Sequence, residues 1–516
     1  MRSPSLPWSI AIAAATFLSI ISAAADVFVG ETHFTARELI LRSVAATSAI
    51  NWVCVAVQAR GLIGPHGILP LATTLRDLQE NLDYRDRKKL PTPRSSRAMT
   101  LCTLWTWRAI GDANVQSAAW CGGCLSACVA IWPSTLGFIL LYLTWYVYKR
   151  ALGAFANLQW DMLLLEATLL CVLLAAAGSA AACTAVAHLV RSCVLRLHCG
   201  AGVAKLTSGD PYWAGLTALS VHHETQPLPT PLAPLLHRLP MRAHRHATLA
   251  GLVMEIATIA AVLPRVPYLA DATFLAVVAT QASIVISGNF GYFNYLSAFL
   301  GFSLLADSSP LLLGHAVARD TPASPLASAC VLLAVLPCAA LYIARAAQYA
   351  EGRCRWFAAL DPWLRTAEHT FYFGNRFSLF SNMTPRRHEI SLEVSADGVT
   401  WRELECRYKV GDVRRMKLVP PMHMPRLDWR LWLLAQGRPA ATWFDSLLRR
   451  LVESSPDVLA LLEPQKPLPG GPVFAARGRL WTYRYGGEGE ATCWVRCAPE
   501  KRDELFGETA WRSKGD

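Results

Sequence analysis

The stretch GAGVAKLTSGDPYWAGLTALSVHHETQPLPTPLAPLLHRLP, residues 200–240, is polar and rich in proline, and it divides the apolar part of the chain. The apolar sequence that follows it ends in ISGNFGYFNYLSAFLGFSLLAD at residues 286–307. A long polar loop between apolar runs is typical of a functional segment. We therefore expect the loop at about 205–246 to take part in the functional site.

The composition predicts a membrane protein. Only 17% of the residues are charged and the mean hydropathy is +0.29, whereas soluble domains carry about 25% charged residues. The predicted fold class is a polytopic α-helical membrane protein of about 8–10 spans, each needing about 20 apolar residues, with a C-terminal soluble α+β domain that is rich in β-structure. Residues 113–148 carry no charge and contain Pro133. As one helix they would measure about 54 Å, so we expect two helices that break at the proline.

The positive charge follows the edges of the apolar runs. The net charge is +12, and one connector, residues 85–97, is strongly basic. This pattern suits the lipid bilayer and its headgroups, and the positive-inside rule assigns the connector to the cytosol. The sequence has no zinc-finger spacing or RNA-binding signature, which excludes nucleic acid as the expected partner.

The chain divides into four predicted regions. Residues 1–25 form a signal peptide or a first span, with Ala23, Ala24 and Ala25 as a cleavage signal before Asp26. Residues 26–350 form the multi-span domain, residues 351–371 a linker, and residues 372–516 the terminal domain. Within the membrane domain, Asp161 and Glu166 are expected to pair with an arginine or a backbone group, or else to serve a function in the membrane.

The terminal domain has its own pattern. EISLEVSADGVTWRELECRY at 389–408 predicts a β-hairpin that turns at Asp397-Gly398. Residues 426–436 and 442–463 have helical spacing, and GRLWTYRY at 478–485 alternates as a strand does. In an oxidising compartment Cys406 would pair with Cys493 or Cys497.

The loop concentrates polar side chains, among them His222, His223, Glu224, His237 and His244. They lack a recognised zinc-ligand spacing, and the prolines from residue 227 onwards predict an extended strap, so we expect polar packing and no metal. An enzyme embedded in the membrane is the alternative, and it would use Lys205, His222 or Glu224.

Several motifs in one order resemble the lipase maturation factor family of endoplasmic-reticulum membrane proteins. They extend over about residues 37–496 and are GLIGPHGILP at 61–70, WDMLLLE at 160–166, VAKLTSGDPYWAGLTALSVHHETQPLPTP at 203–231, ISGNFGYFNYL at 286–296, SADGVTW at 395–401, YKVGD at 408–412 and HMPRLDWRLW at 423–432.

The resemblance implies a factor without enzymatic activity that helps newly made secreted lipases fold and assemble as homodimers. It implies an endoplasmic-reticulum membrane location, a lumenal terminal domain, nascent lipases or other secretory clients as partners, and neither a cofactor nor a small-molecule substrate. The family is also distantly similar to the membrane core of vitamin K-dependent carboxylases, which supports the enzyme alternative.

Within these motifs we expect an Arg426–Asp428 contact that fixes a turn, and Asn382 is the expected glycosylation site. The residues expected to bind clients or to fix the structure of the motifs are Lys205, His222, Glu224, Trp401, His423, Arg426, Asp428, Trp429 and Trp432.

Overall fold

A computed structural model of the chain describes residues 18–19, 21–89, 92–262, 268–312, 325–348, 361–437, 442–464, 472–487, 492–497 and 509–512. Most of the predicted signal region and the first part of the predicted linker lie outside these residues. The four predicted regions therefore remain a prediction. Residues 21–29 form a helix.

The membrane region is helical. Its helices are α1 (Phe34–Ala56), α2 (Ala59–Ile63), α3 (Leu71–Arg87), α4 (Arg94–Ile110), α5 (Val115–Ile131), α6 (Thr135–Leu152), α7 (Gln159–Ala176), α8 (Ala180–Thr207), α9 (Pro211–Ala214), α10 (Ala218–Thr225), α11 (Ala233–His237), α12 (Met241–Ala257), α13 (Leu269–Ser287), α14 (Phe293–Leu300), α15 (Pro325–Gln348) and α16 (Asp361–Phe371). Five described helices, α1, α7, α8, α13 and α15, are long and apolar enough to cross a membrane. The estimate of about 8–10 spans stays a prediction.

The uncharged run 113–148 breaks at Pro133 as predicted. Helix α5 ends at Ile131, and the Ser134 hydroxyl begins α6 by accepting a hydrogen bond from the Gly137 N–H. The last carbonyl groups of α5 have no helical partner of their own. Arg42 of α1 donates to one of them, the carbonyl of Ile131, at 2.8 Å, so the break leaves this polar group satisfied.

Helices α1 and α5 pack closely because a glycine faces a tryptophan. A Cβ atom added at Gly122 would lie 2.5 Å from the Trp52 ring. The Trp52 ring also meets Trp145 and Tyr148 edge-on, with centroids 5.3 and 5.0 Å away. Small residues allow such close approach between membrane helices.

The terminal region contains α17 (Arg426–Ala435), α18 (Thr442–Val452), α19 (Pro456–Leu459) and a five-stranded antiparallel sheet. Its strands are β1 (Arg387–Ser395), β2 (Arg402–Leu404), β3 (Ala475–Tyr485), β4 (Trp494–Cys497) and β5 (Thr509–Arg512). The order is β2-β1-β3-β4, and β5 pairs with the other end of β3. The predicted hairpin is confirmed, with Leu392 opposite Leu404 and Gly398 at φ +77° in the turn.

The terminal region shares its core with the membrane helices. A single buried apolar cluster runs from Trp52 and Leu163 in the membrane region to Leu427, Trp429 and Leu447 in the terminal region. The predicted C-terminal α+β domain is present, and its helix α17 packs an apolar face against the membrane helices.

The helix ends define two faces of the molecule. On the terminal-domain face, Gln58 after α1 donates to the Met424 carbonyl at 2.9 Å. On the opposite side, the far face, Asp307 accepts hydrogen bonds from the N–H groups of Phe34 and Thr35 and thereby caps the start of α1.

Helices α3 and α4 form a hairpin, and both of its ends lie on the terminal-domain face. Just before α3, the His66 carbonyl accepts a hydrogen bond from Ser455 of the terminal region. Just after α4, the Val115 carbonyl accepts one from Tyr148, while the neighbouring Gln116 donates to the end of α1. Helix α3 carries seven charged residues in 17, too many to cross hydrocarbon.

The hairpin tip therefore lies on the same side of the membrane as the terminal domain. The expectations of a cytosolic connector at 85–97 and of a lumenal terminal domain consequently exclude each other.

Candidate functional site

The polar loop lies between the membrane helices and the terminal sheet. Its proline-rich part runs antiparallel to the end of α13, where the Asn289 N–H donates to the Leu228 carbonyl at 2.9 Å and the Thr230 N–H donates to that of Ser287 at 3.1 Å. The Asn289 side chain continues to the terminal region, where it donates to the Pro420 carbonyl at 3.1 Å. The loop thus connects the two regions.

Gly288 is required where the strap passes closest. A Cβ atom at this position would lie 1.9 Å from Gln226 Oε1. The Gln226 amide is buried and held in place by donation to the carbonyls of Ser287, at 2.8 Å, and of His223, at 3.3 Å. The side chain therefore cannot move aside without losing these bonds.

The terminal sheet holds the same loop through a buried arginine. Arg387 of β1 donates to the backbone carbonyls of Glu224, Gln226 and Pro227 at 2.8, 2.5 and 2.9 Å. It also pairs with Glu389 at 2.6 Å, so its charge is balanced. One guanidinium group fixes the point where helix α10 ends and the extended strap begins.

An apolar groove of about 140 Å³ opens beside the strap. Its walls come from three segments: the strap, the end of α13 with the following turn, and residues 417–422 of the terminal region. Leu418 lines the groove, and 73% of its surface is exposed. Exposed apolar side chains around a concave site are typical of a surface that binds a partner.

Asp161 also joins the membrane region to the terminal region, at the contact between them that we call the junction. Its carboxylate accepts two hydrogen bonds from Arg426, at 2.9 and 3.2 Å, and one from Tyr292 at 3.0 Å. Arg426 also donates to Asn51 and to the Phe155 carbonyl. Both ionic side chains are fully buried. The predicted pairing of Asp161 with an arginine is confirmed.

Glu166, further along α7, binds the segment at Gly374 and Asn375, where the chain enters the terminal region. Its carboxylate accepts hydrogen bonds from Arg196 at 2.5 Å, Tyr342 at 2.7 Å and the Asn375 side chain at 2.7 Å. The backbone N–H groups of Gly374 and Asn375 also donate to it. The expected structural partner of Glu166 is thus both an arginine and the backbone.

Two of the residues named for an enzyme are held in ion pairs or backbone contacts. Lys205 is hydrogen-bonded to Glu255 and lies 5.1 Å from the Trp213 ring centroid. It is buried. Glu224 accepts a hydrogen bond from the Tyr485 N–H at 2.7 Å.

His222 lies on helix α10 (Ala218–Thr225), not on an extended strap. The prolines that break helices begin only at residue 227, after this helix has ended. The His222 ring stacks on Phe290 at 6.3 Å and meets Phe380 edge-on at 5.1 Å. Burial, and then the charge of His223, lower its pKa to about 3, so the ring is neutral.

The tryptophans differ in exposure. Trp429 and Trp432 are buried; Trp429 packs against Trp160, with centroids 4.6 Å apart, and Trp432 Nε1 donates to the Thr225 carbonyl at 3.2 Å. They thus lie between the membrane helices and the loop. Trp401 is partly exposed, with the Arg477 guanidinium 4.0 Å from its ring centroid.

The expected contact between Arg426 and Asp428 is absent. The Asp428 carboxylate accepts hydrogen bonds from the N–H groups of Tyr408 and Lys409 at 2.9 and 2.8 Å, while burial raises its pKa. The two side chains point to different partners because they lie on different sides of helix α17. Asp428 therefore fixes the YKVGD turn, and Arg426 fixes the membrane contact.

His423 and Asn382, the two remaining residues predicted as sites, do not take part in the contacts described above. His423 packs against Tyr408 with ring centroids 5.0 Å apart, and burial lowers its pKa to about 4. Asn382 is exposed next to Met383, whose N–H is bonded to Asp210. Glycosylation of Asn382 stays a prediction.

The expected disulfide is not formed, because every cysteine that the structure describes is a free thiol. Cys406 is buried, which raises its pKa to about 12, and Cys493 donates to the Arg414 carbonyl. Cys497 is exposed.

Sequence reasoning missed two contributors to the site and one group of side chains elsewhere in the molecule. Arg387 was not singled out because its partners are backbone carbonyls, which have no sequence signature. Leu418 lies in a stretch without periodicity. Asp26, His33 and His188 form the one group of potential metal ligands in the described part of the chain, and 155 residues separate the two histidines.

Comparison with known proteins gives a consistent result. Residues 35–311 match the family model described as the lipase maturation factor transmembrane domain, and residues 373–502 match the lipase maturation factor C-terminal domain. Human lipase maturation factor 2 is 28% identical over 89% of the chain and 81% of its own length. Lipase maturation factor 1 of Bos taurus is 26% identical over 90% and 88%. No solved structure matches.

Proposed function

Because the chain belongs to the lipase maturation factor family, we propose that it helps nascent secreted lipases fold and assemble as homodimers in the endoplasmic-reticulum membrane, without catalysing a reaction itself. The observation that carries this proposal is the match of both family domains, in order, over most of the chain. The two domains meet around the loop, where the groove opens.

The groove is suited to binding an apolar side chain of a partly folded client. A folding protein exposes apolar side chains that its native state buries. A cavity of about 150 Å³ accommodates benzene, so a groove of about 140 Å³ is large enough for one aromatic or branched side chain. The groove is open to solvent on one side, which allows a client to leave once its own core has formed.

Secretory clients reach the groove only if the terminal domain is lumenal, and we propose that location. The α3–α4 hairpin then lies in the lumen as well, although it is basic. The positive-inside rule acts within about 15–20 residues of a span. Residues 85–89 follow the end of α1 by about 30 residues, so most of the basic cluster has little influence on orientation.

The contacts give the enzyme alternative no support. Lys205 and Glu224 are bound to structural partners, and His222 is enclosed by phenyl rings. None of the three lines the groove.

The proposal is tested in cells that lack the protein, by lipase activity per mass of secreted lipase. We expect this specific activity to fall and the wild-type chain to restore it. Leu418→Asp should restore less, because a charge on the wall of an apolar groove weakens binding by about tenfold. Val399→Asp is the matched control, since Val399 is equally exposed in the terminal region but does not line the groove.

The possible results separate the function from the groove. Unchanged specific activity for every secreted lipase in the deficient cells would refute the function. Full restoration by Leu418→Asp, at wild-type abundance, would leave the function standing and refute the role of the groove.

A further inference from the structure

A group of potential metal ligands lies near the far face, remote from the groove. Asp26 comes from the N-terminal helix at 21–29, His33 lies directly before α1, and His188 lies on α8. One ligand atom from each lies within 4.8 Å of the other two. His188 Nε2 and Asp26 Oδ2 are 2.8 Å apart. The fold therefore gathers three donors from three separate segments.

The donor set suits zinc. Two imidazole nitrogens and one carboxylate oxygen, with a water in the fourth position, are a common zinc environment with ligand distances of about 2.0–2.2 Å. Tetrahedral ligand atoms are then about 3.4 Å apart, so the three atoms must adjust from separations of up to 4.8 Å to bind the ion. His33 and His188 are buried, whereas Asp26 is partly exposed and opens the site to solvent.

The surroundings orient the two imidazoles. His33 Nδ1 lies 3.3 Å from Thr184 Oγ1, which leaves Nε2 as its ligand atom. His188 Nδ1 is buried without a hydrogen-bond partner among the described atoms. No bond on that side prevents the small rotation that coordination requires. Of the two histidines, His33 has the outer hydrogen bond that is typical of a metal ligand.

Arg191 is the group that opposes a cation here. Its guanidinium lies 3.4 Å from His33 Nε2. It is held by the carbonyls of Ser303 and Leu304, at 3.1 and 3.3 Å, independently of the histidine. The Asp26 carboxylate balances one positive charge, so we expect binding weaker than that of a site with several thiolates.

We propose that Asp26, His33 and His188 bind a zinc ion that fixes the N-terminal helix against α1 and α8. This site is independent of the proposed function. The predicted cleavage point before Asp26 lies inside the helix at 21–29, so the site as described belongs to the uncleaved chain. The alternative to a zinc site is that these three side chains form a hydrogen-bonded polar cluster that binds no metal.

The test uses the full chain in detergent, purified with a tag that contains no histidines. After equilibration with zinc sulfate and desalting, the metal is counted per chain by mass spectrometry. We expect about one zinc per chain in the wild type and at least about tenfold weaker retention in Asp26→Asn and His188→Gln. His246→Gln is the matched control, because His246 is an exposed histidine outside the cluster.

A second measurement separates loss of the site from loss of the fold. Zinc should raise the unfolding temperature of the wild type and of the control but not of the two variants, because a ligand stabilises only the state that binds it. A wild-type chain that retains no zinc, or variants that retain as much as the wild type, would overturn the proposal. If a variant does not fold, the zinc content of the wild type decides alone.

Discussion

Removing the Asp161 carboxylate tests whether the terminal domain and the membrane bundle form one structural unit. In Asp161→Ala, Arg426 keeps Asn51 and the Phe155 carbonyl as partners, but its charge is buried without a counterion. Breaking a buried ion pair in this way costs about 3–5 kcal/mol. Tyr292 also loses its acceptor, at a cost of about 1 kcal/mol. We expect the free energy of unfolding to fall by about 4–6 kcal/mol in total.

The assay is denaturant unfolding in detergent, followed by tryptophan fluorescence. Glu403→Ala is the matched control, because it breaks the partly exposed Arg496–Glu403 pair, for which we expect about 0–1 kcal/mol. Arg426→Leu should resemble Asp161→Ala. The double variant Asp161→Ala/Arg426→Leu should cost less than the sum of the two single changes, since it leaves no unpaired charge.

This experiment also separates a structural role of Arg426 from a role in client binding. If Arg426 contacted clients, Arg426→Leu would leave stability intact and lower only the specific activity of secreted lipases. The structural account is refuted if Asp161→Ala costs no more than Glu403→Ala, or if the effects of the two single changes simply add.

Two further predictions follow from the junction and from the hairpin. Gly288→Ala should destabilise the chain by about 1–3 kcal/mol, because its Cβ atom displaces the buried Gln226 amide. The control is Gly251→Ala, which has nothing within 4 Å of the added atom and should be neutral or stabilising in thermal unfolding. Equal effects of the two substitutions would contradict the account. Arg94→Asn in the hairpin and Gly398→Asn in the terminal domain each create a glycosylation sequence. Gly398 has a φ of +77°, which asparagine tolerates. A gel-mobility shift should appear for both variants; a shift in only one would contradict the location of the hairpin and the terminal domain on the same side of the membrane.

A matched control for the second experiment lies on the far face. Ala306→Asn creates the same kind of acceptor beside Asp307, which caps the start of α1. It should behave oppositely to the hairpin and terminal-domain variants. Glycosylation of Ala306→Asn alone would place the terminal domain in the cytosol and would refute the proposed encounter with secretory clients there.

Local features of the sequence predicted local structure well. Pro133 ended a helix because it cannot donate a backbone hydrogen bond, and Asp397-Gly398 produced the turn of the β1–β2 hairpin. A carboxylate in an apolar run had to find a donor, so the partners of Asp161 and Glu166 could be predicted by type. Which arginine each would meet could not, because more than 250 residues separate Asp161 from Arg426.

Interfaces were predicted less well because their partners are distant or lie in the backbone. The spacing of the terminal helices predicted their apolar faces, but did not indicate that α17 would bury its face, with Trp429 and Trp432, against the membrane helices. Arg387 and Asn289 bind backbone carbonyls, which every sequence contains. The groove exists only because the strap, the end of α13 and residues 417–422 meet.

The side on which the hairpin lies shows how two valid rules can disagree. Charge counting assigned residues 85–97 to the cytosol, and the resemblance assigned the terminal domain to the lumen. The structure makes these assignments incompatible, because both ends of the hairpin lie on the terminal-domain face and the charged α3 cannot cross the bilayer. The charge rule is the weaker of the two here, since Arg85 lies far from the end of α1. If the terminal domain is lumenal as proposed, the basic hairpin lies in the lumen as well, where its charge would speed the encounter with acidic proteins.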